Sequence, residues 1–292
     1  MNKSDMIKVE TVQIDTDSGF FELESVVQYK FKDKEFTDDE AYKFLVWFTE
    51  NEIMPIVDKC ISVVNDTFNA MDDTTAMGCE IIGKIMVSTG KKRYMIDYKV
   101  KDGIILSSNK KKITGIETKR SDTPAYFKKM LENSLDFIFA LDEVGLQAHV
   151  QKVKKEMTTM SISDIAKPVG ANDVTKYRHG KTKDIKSVPM HYRAVNAWNN
   201  YVEENNLERM PIIDDGDKIK YLFLKDSFNK FNEDVVAFKN EDDLIQIDPN
   251  IKDKIDFPML FEKAFKKPLS RITDVLGWEL EKDVSKTSIL FM

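Results

Sequence analysis

Cysteine is nearly absent from this sequence: Cys60 and Cys79 are the only two in 292 residues. They lack metal-ligand spacing, which argues against both a disulfide framework and a zinc site. Long apolar runs are missing as well, since none approaches the ~20 residues of a bilayer-spanning helix. The amino-terminal Met1-Asn2-Lys3-Ser4-Asp5 has no apolar core of a signal peptide, so the cytoplasm is the expected compartment. Histidine is scarce too. His149, His179 and His191 stand alone, without a neighbouring nucleophile or ligand set, and are read as structural or as simple contacts rather than catalytic.

What is present is a folding composition. The hydrophobic fraction of 42% beside a charged fraction of 32% excludes a disordered tail, and the length accommodates one large domain or two smaller ones. The net charge of −6 disfavours a nucleic-acid partner only on average. From Lys84 to Arg120 eleven Lys or Arg face three acidic residues, a local net of +8 that leaves −14 for the rest of the chain. Such a stripe suits either a phosphate-tracking surface or a solvated lysine-rich hairpin, and charge alone does not decide between them.

Patterning predicts an α+β protein. Residues 7–14 alternate as a strand, Asp15-Thr16-Asp17-Ser18-Gly19 makes a polar turn, and residues 20–23 resume the strand, giving a hairpin with carboxylates at its tip. Thr37 caps a helix with Glu40 three residues on, and a second helical stretch runs from Pro55 to about Met71. Residues 79–87 and 93–100 form paired strands around Ser88-Thr89-Gly90-Lys91-Lys92. After Pro124, residues 126–157 keep helical spacing almost without glycine or proline, opening a mainly helical second domain. That domain contains a strand pair at 218–224 and 234–238 and a final helix near 257–265. Residues 282–292 read as an exposed tail.

Asp15 and Asp17 sit two apart, so they share a strand face or converge from a turn on one ion, and magnesium is the cation that takes few carboxylates plus substrate phosphates. An isolated Asp-x-Asp otherwise only shapes its turn. In context, Gln13-Ile14-Asp15-Thr16-Asp17-Ser18 resembles the Tyr-Gly-Asp-Thr-Asp-Ser hairpin of family B DNA polymerases, with Gln13 and Ile14 departing from the aromatic and the glycine. Further likenesses follow in the order found in T-even-type phage polymerases. Thr89-Gly90-Lys91-Lys92-Arg93-Tyr94 is similar to a Lys-Lys-Arg-Tyr segment that holds the primer–template duplex. Residues 112–124, with Gly115-Ile116-Glu117, Lys119 and Arg120, resemble the palm–thumb junction. Pro189-Met190-His191-Tyr192-Arg193 is similar to a thumb segment, and Ser288-Ile289-Leu290-Phe291-Met292 to a shortened sliding-clamp peptide.

The resemblance implies a partial polymerase palm at 1–112, a thumb at 113–283 and a clamp-binding tail at 284–292 with Leu290 and Phe291 as anchors. It implies Asp17 and Asp15 as catalytic metal ligands, Glu80 as an auxiliary ligand, and two Mg2+ ions shared with a partner chain. Lys91, Lys92, Arg93, Tyr94, Lys112, Lys119, Arg120, Arg178, His191 and Arg193 become the expected DNA contacts. The sequence holds no exonuclease carboxylate set, no Asp-x-x-Ser-Leu-Tyr-Pro strand and no nucleotide-binding finger helix. A split DNA-directed DNA polymerase is therefore expected, with an amino-terminal subunit carrying exonuclease, fingers and the rest of the palm, acting on primer–template DNA and deoxynucleoside triphosphates in the host cytoplasm if phage-encoded. The alternative is a non-catalytic DNA-binding and clamp-tethering subunit; a metal-dependent nuclease ranks below both.

Overall fold

A computed structural model describes residues 10–15, 18–32, 34–70, 75–116, 118, 120–177, 188–226 and 228–281. The chain divides into two compact units, Met1–Gly115 and Ile116–Met292. Both combine antiparallel sheets with helices, so the fold is α+β.

The first unit opens with β1 (Glu10–Asp15) and β2 (Ser18–Glu22), an antiparallel hairpin. Thr11 pairs with Phe21 and Gln13 with Phe20, so Val12 is bulged out and the strand twists there. A short α1 (Glu24–Lys30) follows, then α2 (Asp38–Phe48). The expected capping box is present: Thr37 N–H donates to Glu40 Oε2 at 2.8 Å and Glu40 N–H to Thr37 Oγ1 at 3.3 Å. Such a cap contributes about 1 kcal/mol. α2 buries Tyr42 and Leu45 with Ile82 and Val100.

The helical path then widens into a π turn over Thr49–Ile53 before α3 (Met54–Thr67). Pro55 explains the widening, because its ring would strike the carbonyl four residues back in a straight α-helix. The second unit repeats the device where a π turn over Glu262–Lys266 precedes Pro268.

The main sheet of the first unit has the order β3 (Ile81–Gly90), β4 (Arg93–Lys101), β5 (Ile104–Thr114). β3 and β4 stand close to the expected pair, and β5 is an additional edge strand. Met95 and Ile96 are adjacent, hence on opposite faces, and both are buried.

In the second unit, residues expected as one long helix form α4 (Ala125–Phe139) and α5 (Glu143–Glu156). Leu141 takes a left-handed conformation, φ 54°, and Asp142 caps α5 by accepting the Gly145 N–H. Next come α6 (Ile162–Ile165), β6 (Lys167–Ala171), α7 (Val174–Tyr177) and α8 (Met190–Glu204). β7 (Asp217–Phe223) and β8 (Val235–Phe238) are the expected strand pair, and β6 adds a third strand beside β7. The chain closes through α9 (Glu241–Ile247), α10 (Ile251–Lys254), α11 (Phe257–Phe261) and α12 (Lys267–Leu276), ending at Gly277 with φ 70°. Phe127, Leu135, Ile138, Leu146, Trp198, Leu222, Phe238 and Phe265 are fully buried and fill this unit's core. Among the described residues no helix is long and apolar enough to cross a membrane.

Candidate nucleic-acid interface and carboxylate hairpin

The carboxylate hairpin is seated on the basic hairpin by one cross-strand pair lying on another. Gln13 pairs with Phe20 across β1–β2, and Ser88 pairs with Tyr94 across β3–β4. Ser88 Oγ–H donates to Gln13 Oε1 at 2.8 Å, while the Phe20 and Tyr94 rings meet with centroids 5.0 Å apart. The bulge at Val12 brings Gln13 into register with Phe20 and so sets this contact. Gln13, which departs from the aromatic of the family motif, is thus an anchoring side chain here. Its Nε2 is buried without an acceptor among the described residues. Nothing in the spacing of the sequence signals Ser88 or Phe20 for this purpose.

Asp15 ends β1 opposite Ser18 in the register. Thr16 and Asp17, between the strands, lie outside the described residues, as do Lys119, Arg178, Leu290 and Phe291.

The basic turn follows directly from Ser88. Gly90 pairs with Arg93, leaving Lys91 and Lys92 as a two-residue connection, and all three cations are exposed. Lys92 is left-handed, φ 59°, where a non-glycine residue costs on the order of 1 kcal/mol. Gly115 abuts this turn. It has φ 66°, and a Cβ on it would stand 2.1 Å from the Lys92 carbonyl oxygen. We expect Gly115→Ala to lower the stability of the first unit by about 2 kcal/mol or more through clash and left-handed strain together, read as a fall in the denaturant midpoint. An unchanged midpoint would show that the basic turn does not depend on this close approach.

The structure pairs other cations of the basic segment with carboxylates, the expected DNA contacts Lys112 and Arg120 among them. Lys84 meets Asp38 at 2.9 Å, Lys99 meets Asp39 at 2.5 Å, Lys112 meets Glu80 at 2.6 Å and Arg120 meets Asp122 at 2.8 Å. Among the described residues these four cations of the basic segment are therefore paired to acids that lie outside it in sequence. Hydrogen bonds from Lys99 and Arg120 hold the Asp39 and Asp122 carboxyls, respectively, below the usual carboxylate range. Exposed pairs of this kind are weak and screened by salt.

Glu80 precedes β3, eight residues from Ser88, which is about 25 Å along an extended strand. Its carboxylate holds Lys112.

In the second unit Arg193 reaches Glu233 at 2.6 Å and Asp234 at 2.5 Å from the start of α8. His191 stacks on Tyr192 with centroids 4.0 Å apart, and burial together with Lys167 pushes its imidazole below the ordinary value, so it is neutral near pH 7. The segment Val195-Asn196-Ala197-Trp198-Asn199 is buried. Asn199 donates to the Ile213 carbonyl and accepts from the Ile213 N–H, both at 2.9 Å, and Asn196 donates to the Tyr177 carbonyl at 2.8 Å. These polar residues of α8 tie loops to the core.

The β1–β2 hairpin thus packs on the strands that flank an exposed cationic turn, and the chain is similar to DNA-directed DNA polymerases. It is 27% identical over 280 residues to that of Enterobacteria phage T4 and 27% identical over 284 residues to that of Escherichia phage RB69. Each match covers 93% of this chain and 31% of the relative, so the chain spans about a third of the length of the relatives it matches. No family model matches. The resemblance read from the motifs thus extends over nearly the whole sequence.

Proposed function

We propose that this chain supplies the carboxy-terminal part of the palm and the thumb of a family B DNA-directed DNA polymerase, extending primer 3′ ends in company with a second polypeptide. The observation that carries this reading is the seating of the β1–β2 hairpin on the strands that flank the Lys91-Lys92-Arg93 turn, through Gln13–Ser88 and Phe20–Tyr94. A polymerase must hold duplex phosphates at a fixed distance from its metal-binding carboxylates, and this contact joins the two functions in one rigid unit. The first unit is read as palm and the second as thumb.

Asp15 and Asp17 offer hard oxygens, the donor type magnesium takes. The reading has such an ion completed by substrate phosphates and by an aspartate of the other polypeptide. Two magnesium ions, when bound, would activate the primer hydroxyl and neutralise the leaving oxygen of an in-line displacement. In this reading Asp17 is the principal ligand and Asp15 its support, and Glu80 joins as an auxiliary only by releasing Lys112. Lys91, Lys92, Arg93, Lys112, Lys119 and Arg120 track the duplex backbone, with Arg178, His191 and Arg193 serving the thumb. Tyr94 acts from below by holding Phe20. Leu290 and Phe291 engage a sliding clamp.

Roughly two thirds of each matched relative lies outside the alignment. The direct test is primer extension by the full chain together with the polypeptide of the same source that aligns with those two thirds. Extension that needs both chains and magnesium is expected; extension by the other chain alone, unaffected by this one, would sink the proposal. Joint replacement of Lys91, Lys92 and Arg93 by alanine should reduce the salt dependence of duplex binding, the slope of log K against log salt falling by about 2 to 3. An unchanged slope would remove these three side chains from the interface.

A further inference from the structure

α3 is an amphipathic helix that buries nothing fully in its own unit. None of its fourteen residues is buried. Val57, Ile61 and Asn65 are half-buried along one side. The adjoining side carries Ile56, 65% exposed, with Cys60, Val63 at 57% and Val64 at 52%, and Phe68 follows at 79%. Positions 56, 60, 63 and 64 fall within about 100° of arc, continuous with half-buried Val57 on one flank and bounded by Asp58, Lys59, Ser62 and Asp66 beyond the other, so the stripe extends the helix's apolar face into the open. A helix of about 21 Å is marginal in water by itself and takes its stability from packing. Such a contiguous apolar stripe calls for a partner surface.

We propose that the exposed stripe of α3 is the docking surface for the polypeptide that supplies the rest of the polymerase, which meets it with an apolar helix or sheet face. This rests on the function proposed above. The occupant follows from the missing length: 93% of this chain aligns to 31% of a continuous polymerase, so most of the surface that such a polymerase packs together belongs to other residues. The stripe's few charges exclude a phosphate backbone as the occupant. A second copy of this chain is the competing occupant, and the experiment separates the two.

Cys60 lies in the stripe and reports on it, while half-buried Cys79, whose thiol burial pushes up, serves as an internal control. Iodoacetamide labelling of Cys60, followed by mass spectrometry, is compared in the free full chain and in the primer-extending assembly. Labelling should slow at least about 10-fold on assembly with Cys79 changed little, because a packed interface centre excludes solvent. Val63→Asp should weaken assembly about 30-fold or more while the free chain keeps its helix content, whereas Val144→Asp, at a site 68% exposed in the second unit, should assemble normally. An assembly that extends primers with Cys60 as reactive as in the free chain would overturn the docking surface and leave the polymerase reading intact. Shielding of Cys60 in the free chain, accompanied by dimer-sized sedimentation, would overturn the occupant in favour of a second copy. A two-chain assembly that shields Cys60 yet never extends a primer would sustain the surface and refute the polymerase reading.

Discussion

Asp17→Ala is expected to reduce primer extension by the assembled enzyme about 1,000-fold or more, with duplex binding nearly unchanged. The magnitude follows from what one carboxylate does in a two-ion site. Stabilisation of the reacting oxygens is worth several kcal/mol, and each 1.4 kcal/mol is tenfold in rate. Asp15→Ala should cost less, about 10-fold, because a supporting carboxylate is partly replaced by water. Binding survives because the phosphate contacts assigned to Lys91, Lys92 and Arg93 lie on the separate β3–β4 turn. The competing view, a non-catalytic DNA-binding subunit, predicts equal extension by variant and parent. Single-turnover extension beside a duplex-retention assay separates the two.

Trp198→Ala carries the largest expected effect on stability. The indole is fully buried in the second unit, stacks near Phe231 with centroids 6.4 Å apart, and donates from Nε1 to the Pro211 carbonyl at 2.9 Å. Removing it opens a cavity and strands that carbonyl, at a cost of about 3 to 5 kcal/mol. For a unit of this size that corresponds to a fall of about 10 °C in the melting temperature. Calorimetry should show the loss in the transition of the second unit alone. A fall below about 3 °C would mean that α8 is held elsewhere than at this ring. Because α8 also carries Arg193, the variant should weaken the grip proposed for the thumb at temperatures where the unit loosens.

How much of this was readable in advance differs from element to element. β3 and β4 announced themselves by apolar alternation on either side of a glycine- and lysine-bearing turn. β5 did not, because Ser107-Ser108-Asn109-Lys110-Lys111-Lys112 is polar and exposed along a sheet edge, where no buried face imposes a period of two. β6 hid for a similar reason: Pro168 and Gly170 read as loop, yet an edge strand tolerates both. The division between α4 and α5 rests on Leu141 in a left-handed conformation that only its surroundings select.

The site shows the same divide. Residue type together with the resemblance to the family motifs nominated Asp15, Asp17 and the Lys91-Lys92-Arg93 turn. It could not show that Gln13 and Phe20 seat one hairpin on the other, because that depends on a single bulged residue, Val12. Nor could it show that Lys84, Lys99 and Lys112 face acids drawn from 32 to 60 positions away. The basic segment is therefore less naked than its local charge suggests, and its exposed cations stand both at the turn (Lys91, Lys92, Arg93) and along the β5 edge (Lys110, Lys111).

A structure of the two-chain assembly bound to primer–template and an incoming nucleotide tests the central claim most directly. The account predicts the Asp15–Asp17 tip at the primer 3′ end, sharing its metal ions with a carboxylate of the other polypeptide, and the Lys91-Lys92-Arg93 turn against duplex phosphates. A primer end served by the other chain's carboxylates alone, with this tip turned away from it, would contradict the account.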